Sequence, residues 1–324
     1  MSNPAPPPAP TRPPADGLET PRCLLCGAPP PPTPGYAFAP YGVVRCPACG
    51  LWYLSPRLNE AAMVAAYREA SYFEGGAGPG YSSYLAQEPT LRRTFRRLLR
   101  SMQRLGMTRA TGGPDTGSRG GRLLEIGCAY GFFLDEARPY FAYRAGTEYS
   151  EAGAELARQC ADAVHVGGLA ALPGVGSGEA GERFDTIVLI HTIEHVYDPA
   201  ALLEGLMEHL APGGWIVLAT PDMGGFWRPL LGRFWPFFKT PEHVAFYTAK
   251  SLAALLRRAG CSAVKRLPYL SYFPLSLVGE KLTPGGDGKG REERATEAGA
   301  SAWSRFAVWV PATTVAAAGR KPVD

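Results

Sequence analysis

The sequence predicts an α/β fold: a mostly parallel, seven-stranded sheet with helices on both faces, preceded by a small four-cysteine segment and a helical segment. Three observations predict it. From Arg122 onward, short apolar runs alternate with segments of helical period, which is the signature of βαβ units. Glycines stand where the first of these runs hands over to a helix. Two Cys-x2-Cys pairs lie within residues 22–56, a stretch too short to build a core of its own.

Length and composition are those of a globular protein. The 324 residues give a prior of about two domains, and 46% hydrophobic residues suffice for a sizeable core. A net charge of +4 is mildly basic and does not argue for nucleic acid. The start of the chain lacks the apolar run of a signal peptide. The most apolar late stretch, Phe306–Gly319, contains Pro311 and is shorter than a spanning helix of about 18 residues or more. A soluble, cytoplasmic protein without a transmembrane segment is therefore expected, with its oligomeric state open. The seven cysteines, an odd number with the first four paired in spacing, argue against a secreted disulfide framework.

Taken in order, residues 1–21 are Pro- and Ala-rich and read as a disordered tail. The cysteine segment follows over 22–56. Residues 57–110 read as helical, with a Gly-rich interruption at Glu74–Gly80. In the later helix Leu91, Phe95, Leu98, Met102 and Leu105 recur at steps of four and three, giving one apolar stripe. Six arginines between Arg92 and Arg104 take the other faces. The turn-rich "TGGPDTGSRGG" (111–121) is a linker to a larger domain over 122–324.

In that domain "RLLEIG" (122–127), "YRAGTEYS" (143–150), "VHVGG" (164–168), "FDTIVLIH" (184–191) and "GGWIVLATP" (213–221) read as strands. "FFLDEAR", "EAGAELARQC" and "PAALLEGLMEHL" (199–210) are the intervening helices. "TAKSLAALLRRAG" (248–260) is a further helix, with Thr248 as N-cap and Gly260 as stop. "CSAVKRL" and "TTVAAAGRKP" supply the last two strands.

Cys23 and Cys26, then nineteen intervening residues, then Cys46 and Cys49 have the spacing of two zinc knuckles. Thiolates fill all four positions, so no place remains for water, and the expected zinc is structural. Metal binding would supply the stability that the short segment lacks.

"E125-I-G127-C-A-Y-G131" leaves the first strand and enters a helix. Glycine there lets a ligand approach the backbone closely. The spacing departs from the dinucleotide fingerprint, and Glu125 would repel a pyrophosphate but attract a cation. Glu148, ending the second strand twenty-one residues after Gly127, can hold both hydroxyls of a ribose. Together these features describe a ribose-bearing ligand with a positive amine and no phosphates.

These stretches, with "FDTIVLIHTIEHVYDP" and "LAPGGWIVLATPD", resemble the successive motifs of class I S-adenosylmethionine (SAM)-dependent methyltransferases over about residues 120–268. "EHVAFYTAKSL" (242–252) is similar to a late motif of their small-molecule, ubiquinone-type branch, and the cysteine segment resembles the zinc ribbon on some bacterial members. The resemblance implies a Rossmann-like sheet and SAM as cofactor. It implies Gly127, Cys128, Ala129 and Gly131 beside the methionine part of SAM, with Glu125 near its amine. It also implies Glu148 on the ribose, Tyr149 beside the adenine, and the adenine read by backbone around Leu169. Ala129 stands where the family usually has glycine.

"HTIEH" (191–195) matches the letters of an inverted zincin site, which needs both histidines on one helix face. Here His191 ends an apolar strand and the next helix begins near Asp198–Pro199, so the stretch is a strand-to-helix crossing. The carboxyl ends of parallel strands border the ligand crevice. His191 through His195 therefore line the expected pocket, with His191 also counted among the cofactor contacts. If the acceptor is an alcohol, a neutral histidine can take its proton. His195 is the first candidate base, followed by His191 and His243. The alternative is that Glu194 and His195 only fix the loop. The aromatic stretch 224–247 is expected to cover an apolar acceptor. The expected partner is a small-molecule methyl acceptor, with O-methylation of a natural product or saccharide favoured. C-methylation of a nucleotide sugar, or RNA methylation using the ribbon and the Arg-rich helix, are the alternatives.

Overall fold

The computed structural model describes residues 17–69, 84–85, 87–109, 120–173, 181–274, 307–311 and 313–323. Most of the expected tail, the Gly-rich interruption at 74–80 and all but the end of the 111–121 linker lie outside the described residues.

The cysteine segment is a small antiparallel unit. Strand β1 (Leu18–Glu19) comes from the region expected to be tail, and β2 (Tyr36–Phe38), β3 (Tyr41–Arg45) and β4 (Trp52–Leu54) form a meander. Strand β5 (Arg57–Leu58) returns to pair with β1, and the Arg57–Glu19 ion pair at 2.7 Å closes that contact. Helix α1 (Glu60–Glu69) follows, then α2 (Glu88–Arg104). The expected stripe of α2 is buried through Phe95, Leu98 and Met102, joined by Leu99. Each such burial contributes about 1.5–3 kcal/mol.

The larger sheet begins with β6 (Arg122–Ile126), α3 (Phe132–Glu136), β7 (Tyr143–Glu148), α4 (Glu151–Ala157) and β8 (Ala163–Val166). It continues through β9 (Phe184–Ile190), α5 (Pro199–His209), β10 (Leu210–Pro221), α6 (Trp227–Leu231), β11 (Ala245–Phe246), α7 (Ala249–Arg258) and β12 (Ala263–Leu267). A two-stranded ribbon, β13 (Ser271–Pro274) with β14 (Ala307–Val310), precedes β15 (Thr314–Arg320). The seven-stranded order is β12-β15-β10-β9-β6-β7-β8, with β15 alone antiparallel to its neighbours. All seven residues of β9 are buried, as expected of a strand covered on both faces. One face packs under α2 and α3, the other under α5 and α7. Asp198 caps α5, and a Thr248–Ser251 capping box opens α7 at the residue the sequence marked.

The chain runs outward from β6 through β7 to β8, then crosses back to β9. Strand order therefore reverses between β6 and β9, and a crevice opens at their carboxyl ends. The glycine loop leaves one of these strands and HTIEH leaves the other.

The cysteine unit is joined to this domain. Strand β11 pairs with β4, Ala245 opposite Tyr53 and Phe246 opposite Trp52, so it is the fourth strand of the small sheet. Cys23, Cys46, Leu51 and Tyr53 belong to the same apolar core as β9, β10 and α7. Four of the six arginines of α2 have partners within the chain. Arg92 reaches Glu88, Asp135 and Glu136, and Arg96 reaches Glu136, while Arg93 and Arg97 lie over the Tyr272 ring.

Candidate active site

The turn after β6 takes three left-handed residues, Gly127 (φ 74°), Ala129 (φ 47°) and Gly131 (φ 77°). Ala129 keeps the left-handed backbone although its Cβ disfavours it. The amides of Gly127 and Cys128 both donate to Thr147 O at 2.9 Å, drawing the loop onto β7. Glu148 fixes it further: one carboxylate oxygen accepts from Ala129 N at 2.8 Å and the other from Ser150 N at 2.9 Å.

Glu125 is 4% exposed, and its Oε2 has no hydrogen-bond partner. Burial, and then the charge of Glu148, push its carboxyl well above the usual carboxylate range. A buried carboxylate beside a second one needs a cation, so the pair fits a ligand that brings a positive amine and neutral hydroxyls. Burial likewise raises the Cys128 thiol, which is therefore no nucleophile near neutral pH.

Tyr149 is 74% exposed, and its ring stands over Gly168. The Leu169 side chain turns away to pack over Gly205 of α5. Two tyrosines join the site: Tyr84, which sequence reasoning missed, and Tyr269, from the aromatic stretch 268–275 that the sequence, together with 224–247, marks as an acceptor pocket or lid. Tyr84 stacks on Phe132 at 5.5 Å and meets Tyr130 edge-on at 5.7 Å. Tyr269 lies edge-on to His191 at 6.1 Å. Burial raises both phenols, and the charge of Glu125 adds to it in each case. Tyr84 carried no signal of its own in the segment read as helical, because its contacts come from the loop after β6 and the start of α3.

The second wall of the crevice is HTIEH. Residues Ile193–His195 form a single 3-10 turn, so the two histidines do not share an α-helical face. His191 is left-handed (φ 54°), and its Nδ1 lies 3.4 Å from Glu194 Oε1. Glu194 is 1% exposed, and its Oε2 accepts from Thr220 Oγ1 at 2.9 Å. Burial alone would raise its pKa. The contact with His191 and the charges that His191, His243 and His195 can carry bring it down to about 2.

His195 and His243 meet edge-on at 4.7 Å, though 48 residues separate them in the chain. Their Nδ1 atoms face backbone carbonyls, Glu242 O at 3.1 Å and Phe237 O at 3.0 Å. A carbonyl can only accept, so Nδ1 carries the hydrogen in both rings and Nε2 is left as the acceptor. Burial, then His195, lower His243 to about 3, so it stays neutral across the physiological range. Donor atoms of Glu194, His195 and His243 converge within 4.8 Å, a carboxylate–imidazole set of the kind that can hold a divalent ion. The other two histidines lie elsewhere: His165 on β8, and His209 at the end of α5, where its Nδ1 lies 3.1 Å from Glu182 O.

The four N-terminal cysteines converge, with all sulfurs within 4.8 Å of one another. Cys23 and Cys49 are 3.4 Å apart, and Cys26 and Cys46 are 3.5 Å apart. The two knuckles repeat one geometry: Gly27 N donates to Cys23 O, Gly50 N donates to Cys46 O, and both glycines are left-handed. Four converging thiols on paired knuckles fit a tetrahedral metal with sulfur ligands.

The insertion 224–247 faces two ways. Trp235, Phe238 and Phe246 pack against Tyr36, Phe38 and Trp52 of the small sheet. Arg228 donates to the Tyr36 hydroxyl at 3.0 Å and lies over Trp52, so it serves that packing. Phe226, Leu230 and Phe234 are exposed on the outside.

A family described as a methyltransferase domain matches residues 91–266. A ubiquinone biosynthesis O-methyltransferase of Cereibacter sphaeroides is 30% identical over 155 residues, covering 45% of this chain and 62% of that protein. One from Aromatoleum aromaticum is 28% identical over 177 residues, covering 51% of this chain and 73% of that protein. The chain thus spans about three fifths of the length of the first of these relatives. Among solved structures, a SAM-dependent methyltransferase of Thermotoga maritima, described as a possible histamine N-methyltransferase, is 20% identical with a TM-score of 0.47. The match covers 74% of this chain and 95% of that one.

Proposed function

The chain belongs to the methyltransferase-domain family, and from that premise we propose that it transfers a methyl group from SAM to a hydroxyl of a small molecule. The observation that carries this reading is Glu125: a buried carboxylate with an unpartnered oxygen, beside Glu148, at the mouth of a left-handed glycine loop. Bound there, SAM would supply an electrophilic methyl on a sulfonium. Glu125 would hold its amine, and Glu148, already anchored to Ala129 N, would offer its remaining lone pairs to the ribose. Cys128 and Gly131 complete the loop on the methionine side, Tyr149 flanks the adenine, and the backbone at Leu169 faces its edge.

In this reading His191 is the base, ahead of His195. Its Nδ1 is backed by the ionised Glu194, which holds one tautomer and leaves Nε2 to take the acceptor's hydroxyl proton. Glu194 also stabilises the imidazolium that forms. His195 has only a carbonyl behind it and the neutral His243 beside it, so it serves to position. The four cysteines hold a structural zinc, which suits free thiols in a reducing, cytoplasmic compartment. The relatives' names favour O-methylation over C-methylation. Nucleic acid is not part of this reading, because Arg92, Arg93, Arg96 and Arg97 are occupied within the chain.

The test is methyl transfer from labelled SAM to a panel of hydroxylated acceptors, followed by pH–rate profiles. His191→Ala should lower kcat by about 100-fold, the range expected for a lost general base, and remove the acidic limb of the profile. His195→Ala should change KM more than the profile. An unchanged profile in His191→Ala would reject it as the base.

A further inference from the structure

We propose that the metal-loaded cysteine ribbon positions the acceptor-side histidine pair, so that loss of the metal disables the acceptor half of the crevice and spares the SAM half. This rests on the zinc and methyl-transfer readings above.

The link is a short backbone relay. Leu54 N, in β4, donates to Val244 O at 3.0 Å, and Val244 N donates to Glu194 O at 2.8 Å. One residue is therefore bonded on one side to the ribbon and on the other to HTIEH. That residue directly follows His243. The pairing of Ala245 and Phe246 with β4 continues the same ladder. His243 and His195 thus owe their edge-on contact to a strand that is completed by the ribbon.

Side chains reinforce it. Phe238 packs on Tyr36 at 4.7 Å and on Phe38 at 5.3 Å, and its neighbour Phe237 supplies the carbonyl that fixes the His243 ring. Tyr247 is fully buried with an unpartnered hydroxyl, in the one core cluster that holds Cys23 and Cys46 of the ribbon and Ile193 of HTIEH. The strands β2 to β4 are only three to five residues long, and in this proposal the metal supplies the constraint that strands so short lack. By contrast, the loop 127–131 is bonded to Thr147 and Glu148 of β7, and to no ribbon strand among the described hydrogen bonds.

The experiment uses the full chain as purified. Bound zinc is counted, removed with a chelator, and three quantities are compared: SAM affinity by calorimetry, hydrogen exchange of individual segments, and methyl transfer. The expected result is SAM affinity within about threefold, exchange accelerated at least tenfold over 242–247 and unchanged over 122–131, and turnover lost. Phe238→Ala is the second variant, with the cysteines intact. It should keep its zinc and its SAM affinity, yet show faster exchange over 242–247 and a kcat at least tenfold lower. Protection over 242–247 that survives metal removal would overturn the proposal, as would SAM binding lost together with it. If the purified chain holds no zinc, the metal reading fails, and unchanged exchange in Phe238→Ala then overturns the ribbon's positioning role separately. If no acceptor is turned over, the exchange pattern still decides the positioning, while the methyl-transfer reading stands or falls on the acceptor screen.

Discussion

Burial acts on two carboxylates of the crevice with opposite outcomes. Glu125 has no cation, so burial and Glu148 raise it. Glu194 is equally buried, but the imidazoles around it hold it at about 2. For Glu125, a folded value above the unfolded one means stability is present at low pH and lost as pH rises through the folded value. A cationic ligand reverses this by favouring the ionised form, so binding expels the proton. Calorimetry of SAM in buffers of different ionisation enthalpy should therefore detect proton release below the raised Glu125 value. Glu125→Gln should abolish the release and weaken binding by roughly 10–150-fold, the worth of a charged hydrogen bond of about 1.5–3 kcal/mol. For His243 the sign differs. Its folded value of about 3 lies below the ordinary 6.5, so the unfolded chain alone takes up a proton between these values. Stability should then fall on acidification through that window, by up to about 1.4 kcal/mol per pH unit. Urea midpoints of His243→Gln should lose that slope between pH 6.5 and 4.5. Below 4.5 Glu194 adds its own loss, because stability from a lowered carboxyl disappears as pH falls toward about 2.

Local elements followed the sequence where one segment carried the whole signal. The glycine loop is such a case: the left-handed turns, the strand before and the helix after all lie within Arg122–Glu136, so Glu125, Gly127 and Gly131 were legible as its framework, and Glu148 was legible as the end of the next strand. The same local logic gives a prediction. A Cβ on Gly127 would sit 2.8 Å from Thr192 Oγ1, at φ 74°, and Thr192 is held by its bond to Ile126 O at 3.0 Å. Gly127→Ala should cost about 1–3 kcal/mol and weaken SAM binding, as read by thermal midpoint and calorimetry. The alanine already at position 129 shows that the loop bears one such strained residue; its own substitution by glycine should leave binding intact. The arginine helix was legible as an amphipathic helix but not in its partners. Asp135, Glu136 and Tyr272 reach it from other parts of the chain, and no spacing within residues 88–104 announces them.

Across the whole molecule, the small sheet takes its fourth strand, β11, from the chain of the large domain, and the two units are joined by a common core cluster and the Arg258 bond to Leu25 O. Contacts of this kind make unfolding cooperative. The zinc-loaded chain should therefore melt in one calorimetric transition that includes the ribbon; two separated transitions would show that the seam is weak. Although it left out α6, β11 and the β13–β14 ribbon, the sequence by itself determined the α/β class, the seven strands of the large sheet with the helices between them, the thiol set and the acids at the ends of β6 and β7. Each depends on periodicity or spacing within a short stretch, where local sterics and burial act alone. Only the tertiary structure decided that the chain crosses back from β8 to β9, that His243 meets His195, that Tyr84 and Tyr269 enter the site, and that β11 completes the ribbon. Those pairings join residues tens to hundreds of positions apart. Their free energy comes from packing and backbone pairing between elements, which leave no periodic trace in either partner.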